Sequence, residues 1–346
     1  MMESYWPSHE LERLDKCPIC QCADRRTLYR DLTDETSGIA PGTWMLHQCV
    51  KCGAAFLDPR PNPESILDAY ADYVTHEFAD QPVIRRTGWF KSLLHDSVNG
   101  YLNAKYGLSC QPERPIGRLL VPLLPPLRSA AVAHVRHLRR PDDTARRLLD
   151  IGCGNGGFLV LATEMGWVSE GLDFDPAAVQ VARARGVDAR CGGIQLLAAE
   201  SEEYDVITIS HVIEHLHDPI EMLHSIKRLL KPGGRLWIET PNISSFGHSW
   251  FGKHWRGLEA PRHLVLFSPN SLRYALQAAG FNSVRQEWRG LSGANIFATS
   301  EKLRRCAEHS KKRFGTKVMG AILEASEMFL PDRRAFLTFT ASKVAN

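Results

Sequence analysis

Leu148-Leu149-Asp150-Ile151-Gly152-Cys153-Gly154-Asn155-Gly156-Gly157-Phe158 is the stretch on which the fold turns. A short apolar run passes through glycines into Phe158-Leu159-Val160-Leu161, the pattern of a buried strand that bends sharply into a helix. Glycine lets the chain turn tightly and lets a ligand press on bare backbone, while a helix N-terminus favours negative charge. Gly152, Gly154 and Gly157 satisfy G-x-G-x-x-G, and Asp173 stands at the distance of an acid that grips a ribose. Alone, the loop suits a nicotinamide dinucleotide as well as a methyl-donor nucleoside.

Outward from this loop, strand and helix patterns alternate: Arg147 to Ile151, Gly157 to Met165, Val168 to Asp173, Pro176 to Arg185, Tyr204 to Ser210, Ile220 to Leu230, Arg235 to Glu239, Ser271 to Ala279 and Val284 to Trp288. Such alternation specifies an α/β protein with a parallel, doubly wound sheet and ligand sites at the strand carboxyl ends. Four further features favour the methyl donor. Asp150 puts a carboxylate beside the loop, which suits a cationic amino group better than a pyrophosphate. In Glu170-Gly171-Leu172-Asp173-Phe174-Asp175-Pro176, Asp173 accepts ribose hydroxyls, Phe174 packs on an adenine and Asp175 caps the next helix. Asp205 to Ser210 ends a strand in polar groups, with His211-Val212-Ile213-Glu214-His215 following, and Leu229-Leu230-Lys231-Pro232-Gly233-Gly234 is a helix stop and turn.

Five of the nine cysteines lie in the first 52 residues. Cys17-x2-Cys20 and Cys49-x2-Cys52 are two turns that each aim two thiolates at one ion, together a tetrahedral zinc shell with no open position, hence structural. Ordinary reduced thiols or a redox pair are the alternative, and Cys22 competes with Cys20 as a ligand. Gly53 suits the tight second knuckle, and short strands between the pairs make a zinc ribbon. Asp58 to Glu64 is a Pro-punctuated linker, and Ser65 to Tyr73 reads as helical. Helical pieces with proline breaks follow, carrying Arg85, Arg86, Arg136, Arg139 and Arg140.

In order and spacing, residues 146 to 290 resemble the class I S-adenosylmethionine-dependent methyltransferases. The Cys-x2-Cys pairs, Pro59-Arg60-Pro61, Thr240-Pro241-Asn242 and Pro261-Arg262-His263 are similar to a subgroup with an N-terminal zinc ribbon that includes deoxysugar C-methyltransferases and small-metabolite O-methyltransferases. The resemblance implies a Rossmann-like domain over 146–346 with an acceptor loop at 240–263, a zinc ribbon over 1–58 and a helical linker or cap over 59–145. It implies that Gly152, Gly154 and Gly156 wrap the methionyl part of S-adenosylmethionine, with Asp150 near its ammonium, Asp173 on the ribose, and Phe174 and Ser210 completing the donor site.

Methyl transfer is an in-line displacement at a sulfonium, and the acceptor often has to lose a proton. Histidine is best poised for that near neutrality. His211 is the first candidate base and His263 the second; His215 is either a partner or a structural hydrogen-bonding group with Glu214. The loop from Thr240 to Gly257 is long and aromatic, a length usually functional, and Trp250, His254, Trp255 and Arg256 are expected to line an acceptor pocket. Metal binding by the histidines is set aside, since His211 and His215 are their only H-x3-H pair here.

A formal charge of +3, from 42 Lys+Arg against 39 Asp+Glu, argues against a nucleic-acid partner. No stretch has the ~18 uninterrupted apolar residues of a membrane span. Met1 to Pro7 lacks the basic start and apolar core of a secretory signal, so a cytoplasmic location is expected. The expected acceptor is a small polar molecule, first a sugar or sugar nucleotide whose diphosphate is held by basic residues of the middle segment and the loop. A phenolic or quinone-precursor O-methyltransferase and a zinc-ribbon RNA methyltransferase are the alternatives, and the oligomeric state is open.

Overall fold

The computed structural model describes residues 5–70, 88–143, 145–290, 293–309, 320 and 325–345. Tyr73, Arg85 and Arg86 lie outside the described residues. The ribbon contributes strands β1 (Arg25–Leu32), β2 (Trp44–Cys49) and β3 (Ala55–Leu57). Ile66–Tyr70 is a short 3-10 turn, and helices α1 (Trp89–Tyr106), α2 (Gly117–Leu123) and α3 (Pro125–His134) follow.

The main sheet is built from β4 (Arg147–Ile151), β5 (Val168–Asp173), β6 (Asp188–Cys191), β7 (Tyr204–Ser210) and β8 (Leu230–Pro241). Between them run α4 (Gly157–Glu164), α5 (Pro176–Ala184) and α6 (Pro219–Leu229). The chain then forms α7 (Phe246–Phe251), β9 (Val265–Leu266), α8 (Pro269–Ala278), β10 (Asn282–Gln286), α9 (Gly293–Ala307) and β11 (Phe336–Ser342). The seven strands lie in the order β10-β11-β8-β7-β4-β5-β6. Pairings among β4 to β8 are parallel, whereas β11 is antiparallel to both β8 and β10. The sheet is therefore not wholly parallel as expected: the C-terminal strand is wedged in against the common direction.

Alternation along the central strands sorts the core into two layers. Leu149, Ile151, Ile207 and Ile209 face one cluster with Leu223, Ile226 and Leu272 of α6 and α8. Leu148 and Val206 face another with Leu102 of α1, Ala131 of α3 and Leu159 of α4. Helices cover both faces, as a doubly wound sheet requires. The start of α5 is capped as read: Asp175 accepts from the Ala177 amide at 2.8 Å. Among the described residues no helix is long and apolar enough to cross a membrane.

The ribbon does not stand apart from the sheet domain. β9, which follows the 240–263 loop, pairs antiparallel with β3 and completes a four-stranded sheet in the order β9-β3-β2-β1.

Candidate active site

β4 ends at Ile151, and the chain turns through three glycines in the left-handed region, Gly152, Gly154 and Gly156, the last leading into α4. Two of these positions differ in what a side chain would meet. A Cβ on Gly152 would lie 2.2 Å from the Val212 side chain, so this glycine lets the segment after β7 close onto the loop. A Cβ on Gly154 would meet nothing within 4 Å, so its bare backbone faces open space. That is the cradle a ligand needs.

Asp150 and Thr208 are neighbours in register on the same side of the sheet. Asp150 is fully buried; its Oδ1 accepts from Thr208 Oγ1 at 2.8 Å and from the guanidinium of Arg136. Arg136 also stacks 3.8 Å over the Phe158 ring. Burial pushes the Asp150 carboxyl up, and Arg136 opposes it. Its Oδ2 is buried with no partner. The cation beside Asp150 is thus an arginine of the middle segment, which leaves one carboxylate oxygen for a second positive group. Such an orphan is costly and calls for an occupant.

Asp173 closes β5, accepting from the Gly154 amide at 2.8 Å and the Asp175 amide at 2.9 Å. A carboxylate has about four acceptor sites, so two remain for ribose hydroxyls. Burial raises its pKa, and those amides oppose the rise. The Phe174 ring is 66% exposed beside Gly193, an open face for a base. Ser210, half-buried, pairs in register with Glu239 at the carboxyl end of β8. Loop, carboxylates, ring and hydroxyl thus lie at the carboxyl ends of β4, β5 and β7, and their chemistry fits S-adenosylmethionine.

His211 adopts a left-handed backbone (φ 54°), rare for a side-chain-bearing residue, with its amide donating to the Glu239 carbonyl at 2.9 Å. Its Nδ1 lies 3.3 Å from Glu214 and its Nε2 3.4 Å from Glu239, both carboxylates buried. Burial alone would lower the imidazole pKa; the two carboxylates outweigh it and raise it to about 9. The two carboxylates thus favour the protonated form of His211, a charge state that a general base has to give up before it accepts a proton. Glu239, bound also by Thr338 Oγ1 at 2.8 Å and by Arg289, escaped sequence reading. The available signal was a carboxylate inside the apolar run Leu236-Trp237-Ile238-Glu239.

His215 and His263 stack edge-to-face at 4.7 Å. His263 is buried; its Nδ1–H donates to the Gly257 carbonyl at 2.8 Å, and burial pushes its pKa down to about 4, so it is neutral. His215 Nδ1–H donates to the Arg262 carbonyl at 3.0 Å and lies 2.8 Å from the Tyr70 hydroxyl, so in the neutral imidazole Nε2 is the nitrogen that carries the lone pair. Glu214, His215 and His263 can each offer one ligand atom to a cation, all within 4.8 Å of one another. Sequence spacing had paired His211 with His215; the structure pairs His215 with a histidine 48 positions away.

The 240–263 loop departs from its expected role in part. Trp255 is 1% exposed and His254 is bound to Glu35 at 2.8 Å, so these pack the loop down instead of lining a pocket; Arg256 pairs with Glu259. Arg262 is fully buried, donating to both Asp34 oxygens at 2.6 and 2.9 Å and to Glu259 at 3.2 Å. Asp34 and Glu35 lie between β1 and β2, so the ribbon clamps the loop. Trp250 stays 40% exposed.

At the other end of the ribbon, the Cys17, Cys20, Cys49 and Cys52 sulfurs lie within 4.8 Å of one another, with Cys17–Cys52 at 3.7 Å and Cys20–Cys49 at 3.4 Å. A tetrahedron of sulfurs about 2.3 Å from zinc has an edge of about 3.8 Å, so the set fits that ion. Cys22 is outside the cluster, its carbonyl accepting from the Cys17 amide at 2.9 Å.

Residues 126–286 match a family described as "Methyltransferase domain". A ubiquinone biosynthesis O-methyltransferase from Xanthomonas oryzae pv. oryzae (strain PXO99A) is 36% identical over 110 residues, 30% of this chain and 46% of that protein. One of the same description from Coxiella burnetii (strain Dugway 5J108-111) is 29% identical over 103 residues, 28% of this chain and 44% of that protein. The chain thus spans less than half the length of the curated relatives it matches. A solved SAM-dependent methyltransferase from Archaeoglobus fulgidus is similar at 24% identity, covering 63% of this chain and 93% of that one with a TM-score of 0.44. Residues 126–286 thus match a methyltransferase-domain family, and their strand order and glycine-loop geometry accord with that match.

Proposed function

We propose that the chain transfers the methyl group of S-adenosylmethionine to a hydroxyl oxygen of a small polar acceptor held beneath the 240–263 loop. The observation that carries this reading is the group Glu214, His215 and His263, gathered beside a glycine loop onto which Val212 closes. Gly152, Gly154 and Gly156, with Asp150, hold the methionyl part; Asp173, Phe174 and Ser210 hold the nucleoside. In the reaction the methyl–sulfur bond breaks as the methyl–oxygen bond forms, S-adenosylhomocysteine leaves, and the hydroxyl proton passes to His215 Nε2. Alignment supplies much of the rate and proton removal a further ~10²–10⁴-fold.

The names of the curated relatives favour a phenolic or quinone-precursor acceptor. A sugar acceptor is supported by the ribbon resemblance, while Arg139 and Arg140 line a separate cavity together with Arg235 and Arg285. An RNA acceptor would require salt-dependent RNA retention. The four ribbon cysteines hold a structural Zn2+ in this reading, with no part in the chemistry.

Incubating the full chain with methyl-labelled S-adenosylmethionine and a metabolite extract identifies the acceptor. Label on an oxygen of a small molecule is expected; label on carbon or on RNA, or none with any acceptor, overturns the reading. Activity measured with and without added divalent cations, after zinc is in place, reports whether Glu214, His215 and His263 work alone or around a metal.

A further inference from the structure

At the edge of the sheet away from the glycine loop lies a cavity of about 710 Å³, within the range of small-molecule pockets. Its position follows from register: Arg235, near the start of the regular part of β8, is opposite Ser342 at the end of the antiparallel β11, and both line it. Five of its side chains are cationic, Lys105, Arg139, Arg140, Arg235 and Arg285, against one carboxylate, Glu287.

The surroundings neutralise only part of these charges. Lys105 donates to the Tyr101 hydroxyl at 2.8 Å and lies 5.2 Å from the Tyr101 and Tyr106 ring centroids, contacts that fix an ammonium without cancelling it. Glu287 already accepts from Thr340 at 2.8 Å and stands 3.6 Å from Arg235. Arg139, Arg140 and Arg285 have no carboxylate partner among the described residues. Arg235 feels the crowding: burial lowers its pKa first, and the neighbouring Arg139 and Arg285 lower it further. A chain with a formal charge of only +3 has gathered like charges around one concavity. Guanidinium forks match phosphate oxygens two at a time, and Tyr106 and Leu138 supply an apolar wall.

We propose that this cavity binds a small anion bearing two or more phosphate groups, at a site separate from methyl transfer. It makes no use of the donor or acceptor residues and does not depend on the identity of the acceptor.

The test is calorimetric titration of the full chain at low ionic strength with inorganic pyrophosphate and, separately, with a nucleoside diphosphate. Saturable one-to-one binding of either is expected, weakened at least tenfold in Arg139→Ala/Arg285→Ala while S-adenosylmethionine affinity stays within twofold. A tighter diphosphate nucleoside identifies an organic body on the apolar wall; equal affinity identifies the phosphates alone, and both support the site. Should the double variant fail to fold, Arg285→Glu replaces it, with the same loss expected. Absence of saturable binding, or binding that survives the substitutions, overturns the proposal. So does retention of single-stranded RNA, lost in the same variants, without pyrophosphate binding.

Discussion

Asp34→Asn tests whether the ribbon positions the 240–263 loop, beneath which the acceptor is proposed to sit. Asp34 and Arg262 have side chains 1% and 0% exposed, so water cannot compensate for a broken pair. The carboxylate also accepts from Ser37 Oγ at 2.6 Å and from the Ile39 and Ala40 amides at 3.1 and 3.2 Å. An amide nitrogen placed among these donors loses at least one contact. Breaking a buried pair costs about 3–5 kcal/mol, and Arg262 keeps Glu259 and the Ala69 carbonyl, so the lower end, about 3 kcal/mol, is expected. That is a large share of the typical 5–15 kcal/mol of a domain. Burial alone would raise the Asp34 carboxyl; Arg262 and Ser37 outweigh it and hold it well below the usual carboxylate range. Because the folded pKa is the lower one, the stabilisation is complete above the unfolded value near 4 and fades as pH falls below it. Urea unfolding at pH 7 and pH 3 reads both effects: the variant gap should shrink at the lower pH. Neither residue touches the donor site, so acceptor KM should rise while S-adenosylmethionine affinity holds. A stability loss under about 1 kcal/mol, or equal losses for donor and acceptor, refutes the clamp.

Further outcomes follow from the site. Asp173→Ala should weaken S-adenosylmethionine about 10- to 100-fold by calorimetry, the loss of charge-assisted hydrogen bonds to a ribose; unchanged affinity means the donor is held elsewhere. Gly154→Ala meets open space, so unfolding should show only the ~1–2 kcal/mol of a strained left-handed residue with donor binding lost, whereas Gly152→Ala, 2.2 Å from Val212, should disturb the fold as well. His215→Ala should cut turnover ~10²–10⁴-fold with donor affinity retained, and full turnover removes it as the proton acceptor. Metal analysis should find one zinc per chain, lost in Cys49→Ser together with native unfolding cooperativity.

The parts legible in the sequence are those whose cause is local. Glycines at the carboxyl end of β4, Asp175 before Pro176 and the paired Cys-x2-Cys turns each announce their geometry within a few residues. β6 and β11 did not: Asp188–Cys191 is too short to show a period, and Phe336–Ser342 owes its place between β8 and β10 to partners far upstream, such as Arg235 opposite Ser342 and Gln286 opposite Phe339. The candidate site divides in the same way. The donor half proposed for it sits mainly in the run from Asp150 to Phe174, with Ser210 at the end of β7, and is readable; the proposed acceptor half needs Glu239, His263 and Arg262, whose meeting partners are set by strand order and by the ribbon. His211 shows the limit most sharply, since its residue type points to a base while two buried carboxylates from different elements, invisible in the local sequence, favour its protonated form.

Near-neutral net charge hides a separation across the sheet. Asp150, Asp173, Glu214 and Glu239 lie toward the carboxyl ends of β4, β5, β7 and β8, where a sulfonium and an ammonium would be seated. Lys105, Arg139, Arg140, Arg235 and Arg285 lie at the other edge. Each grouping costs stability through like-charge repulsion and burial, and each acquires a use if an oppositely charged ligand occupies it. The fold makes this division available: parallel strands place all their carboxyl ends on one side, and the reversed β11 brings Ser342 to the amino end of β8, helping to build a second concavity at the other edge. A field of this kind also explains why Arg136 matters. It stands at the end of α3, on the segment leading to His137, Arg139 and Arg140, yet reaches Asp150, cancelling one buried charge where a second cation has to enter. Removing it as Arg136→Met should raise the Asp150 pKa further and destabilise the chain by about 3–5 kcal/mol when no donor is bound. Saturating S-adenosylmethionine should then recover part of that loss, because its ammonium supplies the missing partner. A thermal-shift titration that shows no larger donor-induced rise in Tm for the variant than for the wild type would refute the pairing.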